Sequence, residues 1–311
     1  MKETKQDIII GTNVVGQPIY ITKYEIDSEK PGKVIYIQGG IHGGEVTLHI
    51  IRNIYDFVKK NIVSGKVVFV PFVNPMGWQQ KAYAYTVGKF SNKTGEDFNR
   101  TFGKKVTDSS MTAISNKILD ICSNVDLCID LHTAHTSLPH TITFCENDLE
   151  IAKKANIKFN RLCFNSAEYE KTLDANLCKK GISSFTIECG SHDDINYDNE
   201  RVISNGILNV IKNFNVIKSG LEECKTKQFS FSKAHSYFAE CGGVVDFKKN
   251  LGESFKNGDV LFTIKPANLQ EKEHVIKAEF DGIVFRFAKT HIFDSFDEVM
   301  RVFKLEELTN I

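Results

Sequence analysis

The stretch KVIYIQGGIHGGE, residues 33–45, reads as a strand that stops at a glycine pair and enters a tight loop ending on a carboxylate. Its first six residues are rich in Val, Ile and Tyr, types that fit a pleated, buried surface. Beyond the glycines, Val46, Ile50, Ile54 and Phe57 recur at helical spacing, with Ile51 and Val58 widening the stripe. A helix is therefore expected over 45–60, with Lys59 and Lys60 at its negative pole. A second strand follows at 66–71. Strand, crossover helix, strand is the mark of an α/β domain.

Working outward, 8–10 and 20–24 read as edge strands. The polar, glycine-bearing stretch 74–102 has little regular pattern, and loops of that length in compact domains are commonly functional. A helix is expected over 109–123 and a near-continuous apolar strand over 125–131, as in the buried middle of a mainly parallel sheet. Strands at 141–145 and 185–189 and helices near 148–155 and 200–214 complete the pattern. After about Leu221 the chain turns to short apolar runs split by Asn257-Gly258 and Asp281-Gly282, the habit of a small β domain. The expected division is an α/β domain over 1–222, with a mainly parallel or mixed sheet flanked by helices, and a β-rich domain over 223–311.

Composition narrows the function. Among 311 residues, Lys+Arg and Asp+Glu balance at 39 each, which argues against a nucleic-acid surface or a polybasic membrane patch. The N-terminal MKETKQDIII is too charged for a secretory signal, and no run is long enough to span a bilayer. A cytoplasmic protein is expected, with its eight cysteines as buried thiols rather than a disulfide framework.

His42 and Glu45 stand three apart in the glycine-rich bend, where both side chains can converge on one ion. Imidazole and carboxylate are ordinary zinc ligands, and a catalytic site commonly uses three plus water. His132, at the end of the VDLCID strand, is the best third ligand. Asp130, two residues earlier on the same face, is placed to orient an imidazole, with that of His42 as the candidate. Other readings of the pattern stay open: a loop histidine beside a helix-start glutamate, or a Glu45–His49 pair one helical turn apart. His135 is a further pocket candidate. A phosphate cradle fits poorly, because GGIHGG lacks G-x-G-x-x-G spacing and Glu45 would repel phosphate. Glu188 lies in an apolar strand end, where carboxylates are rare without a partner or a task.

GGIHGGE, NPMG at 74–77, DFNR at 97–100, DLH at 130–132 and TIECG at 186–190 occur in that order. The set resembles the succinylglutamate desuccinylase/aspartoacylase family, relatives of the zinc carboxypeptidases. The resemblance implies a carboxypeptidase-like α/β domain followed by a small β domain, and one Zn2+ per chain on His42, Glu45 and His132. It implies that Asn99 and Arg100 grip a substrate carboxylate and that Glu188 is the catalytic carboxylate. Lys89 stands where relatives often carry an arginine, keeping the charge but losing the planar fork.

The expected chemistry is attack of water on an amide carbonyl, with Glu188 moving the proton and Lys89 or Arg100 assisting at the oxyanion. Arg100 has a plainer alternative, a salt bridge with Asp97. The expected partner is a small molecule, an N-acyl amino acid or a short peptide, with no nucleic acid and no membrane. Two further readings remain: a zinc carboxypeptidase, and a non-catalytic, metal-stabilised binding protein. A homo-oligomer is compatible with the sequence, which selects no state.

Overall fold

Alternation along the 33–38 run sends neighbouring side chains to opposite faces of a sheet. In the computed structural model both faces are covered. It describes residues 1–82, 85–105, 110–134, 136–164, 166–192, 195–218, 226–288 and 290–311. The chain opens with strands β1 (Lys2–Thr12), β2 (Pro18–Asp27), β3 (Val34–Gly39), helix α1 (Leu48–Asn61) and strand β4 (Lys66–Val70). Short pieces follow: helix α2 (Pro75–Trp78) and the paired strands β5 (Lys81–Ala82) and β6 (Tyr85–Thr86). Then come α3 (Ser110–Cys122), β7 (Leu127–His132), β8 (Thr136–Ser137), β9 (His140–Thr143), α4 (Glu146–Ala152), β10 (Phe159–Leu162), α5 (Leu173–Lys179), β11 (Ser183–Glu188) and α6 (Tyr197–Asn213).

The chain divides into two units, 1–133 with 139–228, and 134–138 with 229–311. The boundary expected near residue 222 lies outside the described residues. In the first unit the strands run in the order β1-β2-β4-β3-β7-β11-β9-β10. The β4–β3–β7–β11 centre is parallel, while β2 joins β4 and β9 joins β11 antiparallel, so the sheet is mixed.

One face, with Ile35, Ile37, Ile129, Phe185 and Ile187, packs on Ile50, Ile54 and Val58 of α1 and Ile203, Ile207 and Ile211 of α6. The other, with Tyr36, Val68 and Cys128, packs on Met111, Ile114 and Ile118 of α3 and Leu173 and Leu177 of α5. Burying apolar side chains of this size is worth about 1.5–3 kcal/mol each. Polar residues on the second face, Gln38, Asp130, His132 and Thr186, are buried within it.

Several elements differ from expectation for local reasons. Helix α1 begins at Leu48 rather than at residue 45, following the N-cap Thr47, and Gly44 at φ +88° lies outside helical backbone just before the expected start. β1 and β2 form a long hairpin rather than two short edges, closed by Asn13, whose side chain accepts from the Val15 and Gln17 amides. β10 and α5 are too short to show a period.

The cysteines require a correction: Cys145 and Cys178 are joined as a disulfide, with their Cα atoms 5.9 Å apart, tying the residue before α4 to α5. Cys122, Cys128, Cys163 and Cys189 are buried free thiols and Cys241 is a partly exposed one; Cys224 lies outside the described residues.

The second unit is antiparallel β. One sheet holds His235–Phe238, Glu298–Lys304, Gly282–Phe287 and Ser254–Phe255, and another holds His274–Lys277, Val260–Lys265, Gly243–Phe247 and Ile292–Phe293. Val245, Phe262, Ile264, Val284 and Val302 form its core. Among the described residues no helix is long and apolar enough to cross a membrane.

Candidate metal centre

Three parallel strand ends deliver the site. β3 ends at Gly39 and releases the 40–45 loop, β7 ends on His132, and β11 pairs beside it with Glu188 directly opposite His132. Such carboxyl ends are where ligands sit in open α/β sheets.

The structure brings His42, Glu45 and His132 together, with one ligand atom from each lying within 4.8 Å of the others. Glu45 is the hub: Oε1 lies 2.8 Å from His42 Nδ1 and Oε2 lies 2.8 Å from His132 Nδ1. The second contact makes no directed hydrogen bond, leaving Glu45 Oε2 buried and unsatisfied. A buried carboxylate oxygen facing a ring nitrogen without a hydrogen bond fits two donors aimed at a shared cation.

The outer nitrogens are held as metal-binding imidazoles usually are. His132 Nε2 lies 3.0 Å from Asp130 Oδ2, and His42 Nε2 lies 2.9 Å from Asp97 Oδ1. Asp130 thus serves His132 and not His42, which corrects the expected pairing. Asp130 Oδ1 in turn accepts from Gln38 Nε2 at 2.9 Å, and Gln38 Oε1 from the Tyr36 hydroxyl at 2.8 Å. The whole chain is buried.

Electrostatics match this geometry. Burial opposes charging both histidines, but Asp130 and Glu45 lift the pKa of His132 well above its ordinary value, and Glu45 and Asp97 lift that of His42. Burial likewise opposes the Glu45 anion, and the two imidazoles outweigh it and hold its pKa well down. Glu188 goes the other way: burial raises its pKa, and its Oε2 is buried with no hydrogen-bond partner. Lys89 is exposed, yet its charge acts on both Glu188 and Asp97, so its ammonium stands near the cluster.

Asn99 is a strut: Nδ2 lies 3.4 Å from His132 Nε2 and Oδ1 accepts from the Leu173 amide at 3.2 Å. Arg100 donates to the Asn99 carbonyl at 2.9 Å and lies against Tyr169, 5.0 Å from the ring centroid. It does not pair with Asp97, whose Oδ1 is engaged by His42 and by the Asn99 amide at 2.7 Å.

His49 points away from Glu45, with Nε2 3.9 Å from Glu200 Oε2, so the alternative Glu45–His49 pair does not form. His135 lies outside the described residues. The reading of the sequence missed Asp97 as an imidazole partner, although the DFNR motif contained it. Nor did the sequence show how NPMG and the tryptophan after it support the loop: Asn74 donates to the Ile41 carbonyl at 2.8 Å and Trp78 Nε1 to that of Gly40 at 3.1 Å.

The model of the succinylglutamate desuccinylase/aspartoacylase catalytic domain matches residues 31–214. No curated protein matches the chain by sequence. Among solved structures, a protein assigned to the same group from Shewanella frigidimarina NCIMB 400 superposes with a TM-score of 0.87 at 19% identity, covering 99% of this chain and 98% of that one. The ectoine utilization protein EutE (DoeB) from Ruegeria pomeroyi, in its product-bound structure, gives 0.82 at 16% identity, covering 96% and 94%. A metallo-carboxypeptidase from Burkholderia cenocepacia gives 0.51 at 15% identity, covering 68% and 64%. The structures share the fold; the triad and the family model together support a metal-dependent hydrolase active on small carboxylate-bearing substrates. The chain belongs to the succinylglutamate desuccinylase/aspartoacylase family.

Proposed function

We propose that the protein is a zinc-dependent deacylase that hydrolyses the amide bond of an N-acyl amino acid. The observation that carries this reading is Glu188, a half-buried residue with one buried, unsatisfied carboxylate oxygen, paired across the strands with the ligand His132.

A divalent ion on His42, Glu45 and His132 would supply positive charge to polarise the amide carbonyl and to ease deprotonation of the attacking water. Glu188 takes the proton from that water and returns it to the departing amine, a task its raised pKa suits. Lys89 adds positive charge as the carbonyl oxygen becomes an oxyanion. Arg100, with Asn99 behind it, binds the substrate carboxylate through its planar fork. Asp97 and Asp130 hold the two imidazoles with Nδ1 toward Glu45.

Glu188→Gln tests this directly. The variant is expected to keep stoichiometric zinc while turnover of N-acyl amino acids falls by roughly two to four orders of magnitude. Unchanged turnover would remove Glu188 from the chemistry.

A further inference from the structure

Cys145 and Cys178 are joined and only half-buried, whereas the free thiols of Cys122, Cys128, Cys163 and Cys189 in the same unit are buried. A disulfide that a reductant can reach exchanges more readily than one enclosed in a core. Among the described cysteines of this unit, redox chemistry is therefore concentrated at one bond.

The two ends of that bond are held unequally. Cys145 leads into α4, which is fixed to the sheet by Asp148, whose Oδ2 accepts from the Ser184 amide of β11 at 3.2 Å. Cys178 lies near the end of α5, a helix of seven residues. A helix of two turns has little stability of its own in water. α5 therefore depends on the buried Leu173 and Leu177 and on its covalent tie. Cys145 is the fixed end, and Cys178 is the end that can shift.

The other end of α5 supports the metal centre. The Leu173 amide donates to Asn99 Oδ1 at 3.2 Å, and Asn99 Nδ2 lies 3.4 Å from His132 Nε2. Asp174 accepts from the hydroxyl of Thr186, which shares a strand face with Glu188. Just ahead of the helix, the Lys171 carbonyl accepts from the Phe102 amide at 3.1 Å. α5 is thus bonded to the segment of Asn99 and Arg100 on one side and to the Glu188 strand on the other. Asp174 Oδ1 is buried with no hydrogen-bond partner, a cost that a small outward shift of α5 would relieve by admitting water.

We propose that Cys145–Cys178 is a reversible redox site whose partner is a dithiol reductant, and that its reduction slackens α5 and lowers activity while zinc stays bound. One thiolate of the reductant attacks a sulfur of the pair, the Cys145–Cys178 bond breaks, a mixed disulfide forms, and the released cysteine takes a proton. The second thiolate attacks the mixed disulfide, and the reductant departs as its own disulfide. Two electrons have then passed to the protein, which ends with two thiols. His42 and His132 keep Asp97 and Asp130, so the metal is retained. Asn99 loses its backing, and with it the alignment of the segment that carries Arg100. The inference regulates the hydrolytic site proposed above and rests on that reading for its rate measurement.

The test treats the zinc-loaded protein with reduced thioredoxin as the dithiol probe, and with oxidised glutathione to reverse it. Alkylation and mass spectrometry should find Cys145 and Cys178 free after the first treatment without denaturant. Turnover of an N-acyl amino acid should then fall roughly 10-fold in kcat/KM, since about 1 Å of misplacement can cost about 100-fold. Zinc content should not change, and oxidised glutathione should restore the rate. Cys145→Ser and Cys178→Ser should match the reduced protein and ignore both reagents. A bond that thioredoxin leaves intact in the native protein, or a reduced protein at least as active as the oxidised one, overturns the inference. Both readings come from the wild type, so a variant that fails to fold does not spoil the test. Hydrogen exchange separates this claim from the hydrolytic one: the amides of 99–102 and 171–179 should exchange roughly 10-fold faster after reduction while those of β7 hold. If neither form hydrolyses an amide, the deacylase reading fails; faster exchange then still supports the slackening of α5, and unchanged exchange overturns it.

Discussion

His42 Nε2 lies 2.9 Å from Asp97 Oδ1, a contact that spans 55 residues and fixes which imidazole nitrogen faces Glu45. Asp97 also accepts from the Asn99 amide, so one carboxylate couples a ligand from the 40–45 loop to the Asn99-Arg100 pair. Asp97→Ala is expected to weaken zinc affinity about 10- to 100-fold, as loss of a ligand's outer partner commonly does. Competition with a chromogenic chelator measures it. Unchanged affinity would mean that the loop alone orients His42.

Acid should work against metal binding. Metal needs the imidazole lone pairs, and in the metal-free protein both histidines hold protons to higher pH than a free histidine does. Zinc binding near neutral pH should therefore release protons, and apparent affinity should fall as pH drops through the raised histidine pKa values. The metal-free protein runs the opposite way. Its imidazolium–carboxylate pairs contribute stability fully below the ordinary histidine pKa, and that contribution is lost as pH rises through the raised values. Thermal melts of both forms across pH 5 to 9 should show slopes of opposite sign; parallel slopes contradict the assignment.

Gly43, Gly77 and Gly88 pack backbone to backbone beneath the cluster, where the Gly43 amide donates to the Gly88 carbonyl at 2.9 Å. A Cβ at position 43 would stand 2.4 Å from the Gly77 carbonyl oxygen, and one at position 88 only 2.0 Å from it. Either alanine substitution should cost about 1–3 kcal/mol, the range for overpacking. Denaturant melts check the cost, and a stability equal to the wild type's would show that the loops can part freely.

The Cys145–Cys178 bond closes a loop across 33 positions and holds α5, whose Leu173 amide supports Asn99. Reduction, or Cys178→Ser, should lower stability by about 2–4 kcal/mol. A melting temperature indifferent to reductant would show that the pair contributes nothing.

What the sequence disclosed follows the range of each interaction. His42 and Glu45 were legible because their geometry is made within four residues of glycine-flanked chain, and His132 because a long apolar strand ends on it. The sheet centre was legible from its apolar runs. Asp97 was read as a neighbour of Arg100 because its true partner is distant in sequence. The sequence points Asp130 to the wrong imidazole for a similar reason: alternation puts it on the face of His132 but does not show that its carboxylate meets His132 Nε2. The disulfide was missed because cysteines were judged by compartment rather than by position.

The proposed chemistry needs one ion shared by His42, Glu45 and His132, and elemental analysis of the purified protein after zinc loading and desalting measures it most directly. One zinc per chain in the wild type, retained in Glu188→Gln and lost in His132→Ala, is the predicted result. Full occupancy in His132→Ala, or no zinc retained by the wild type, would contradict it.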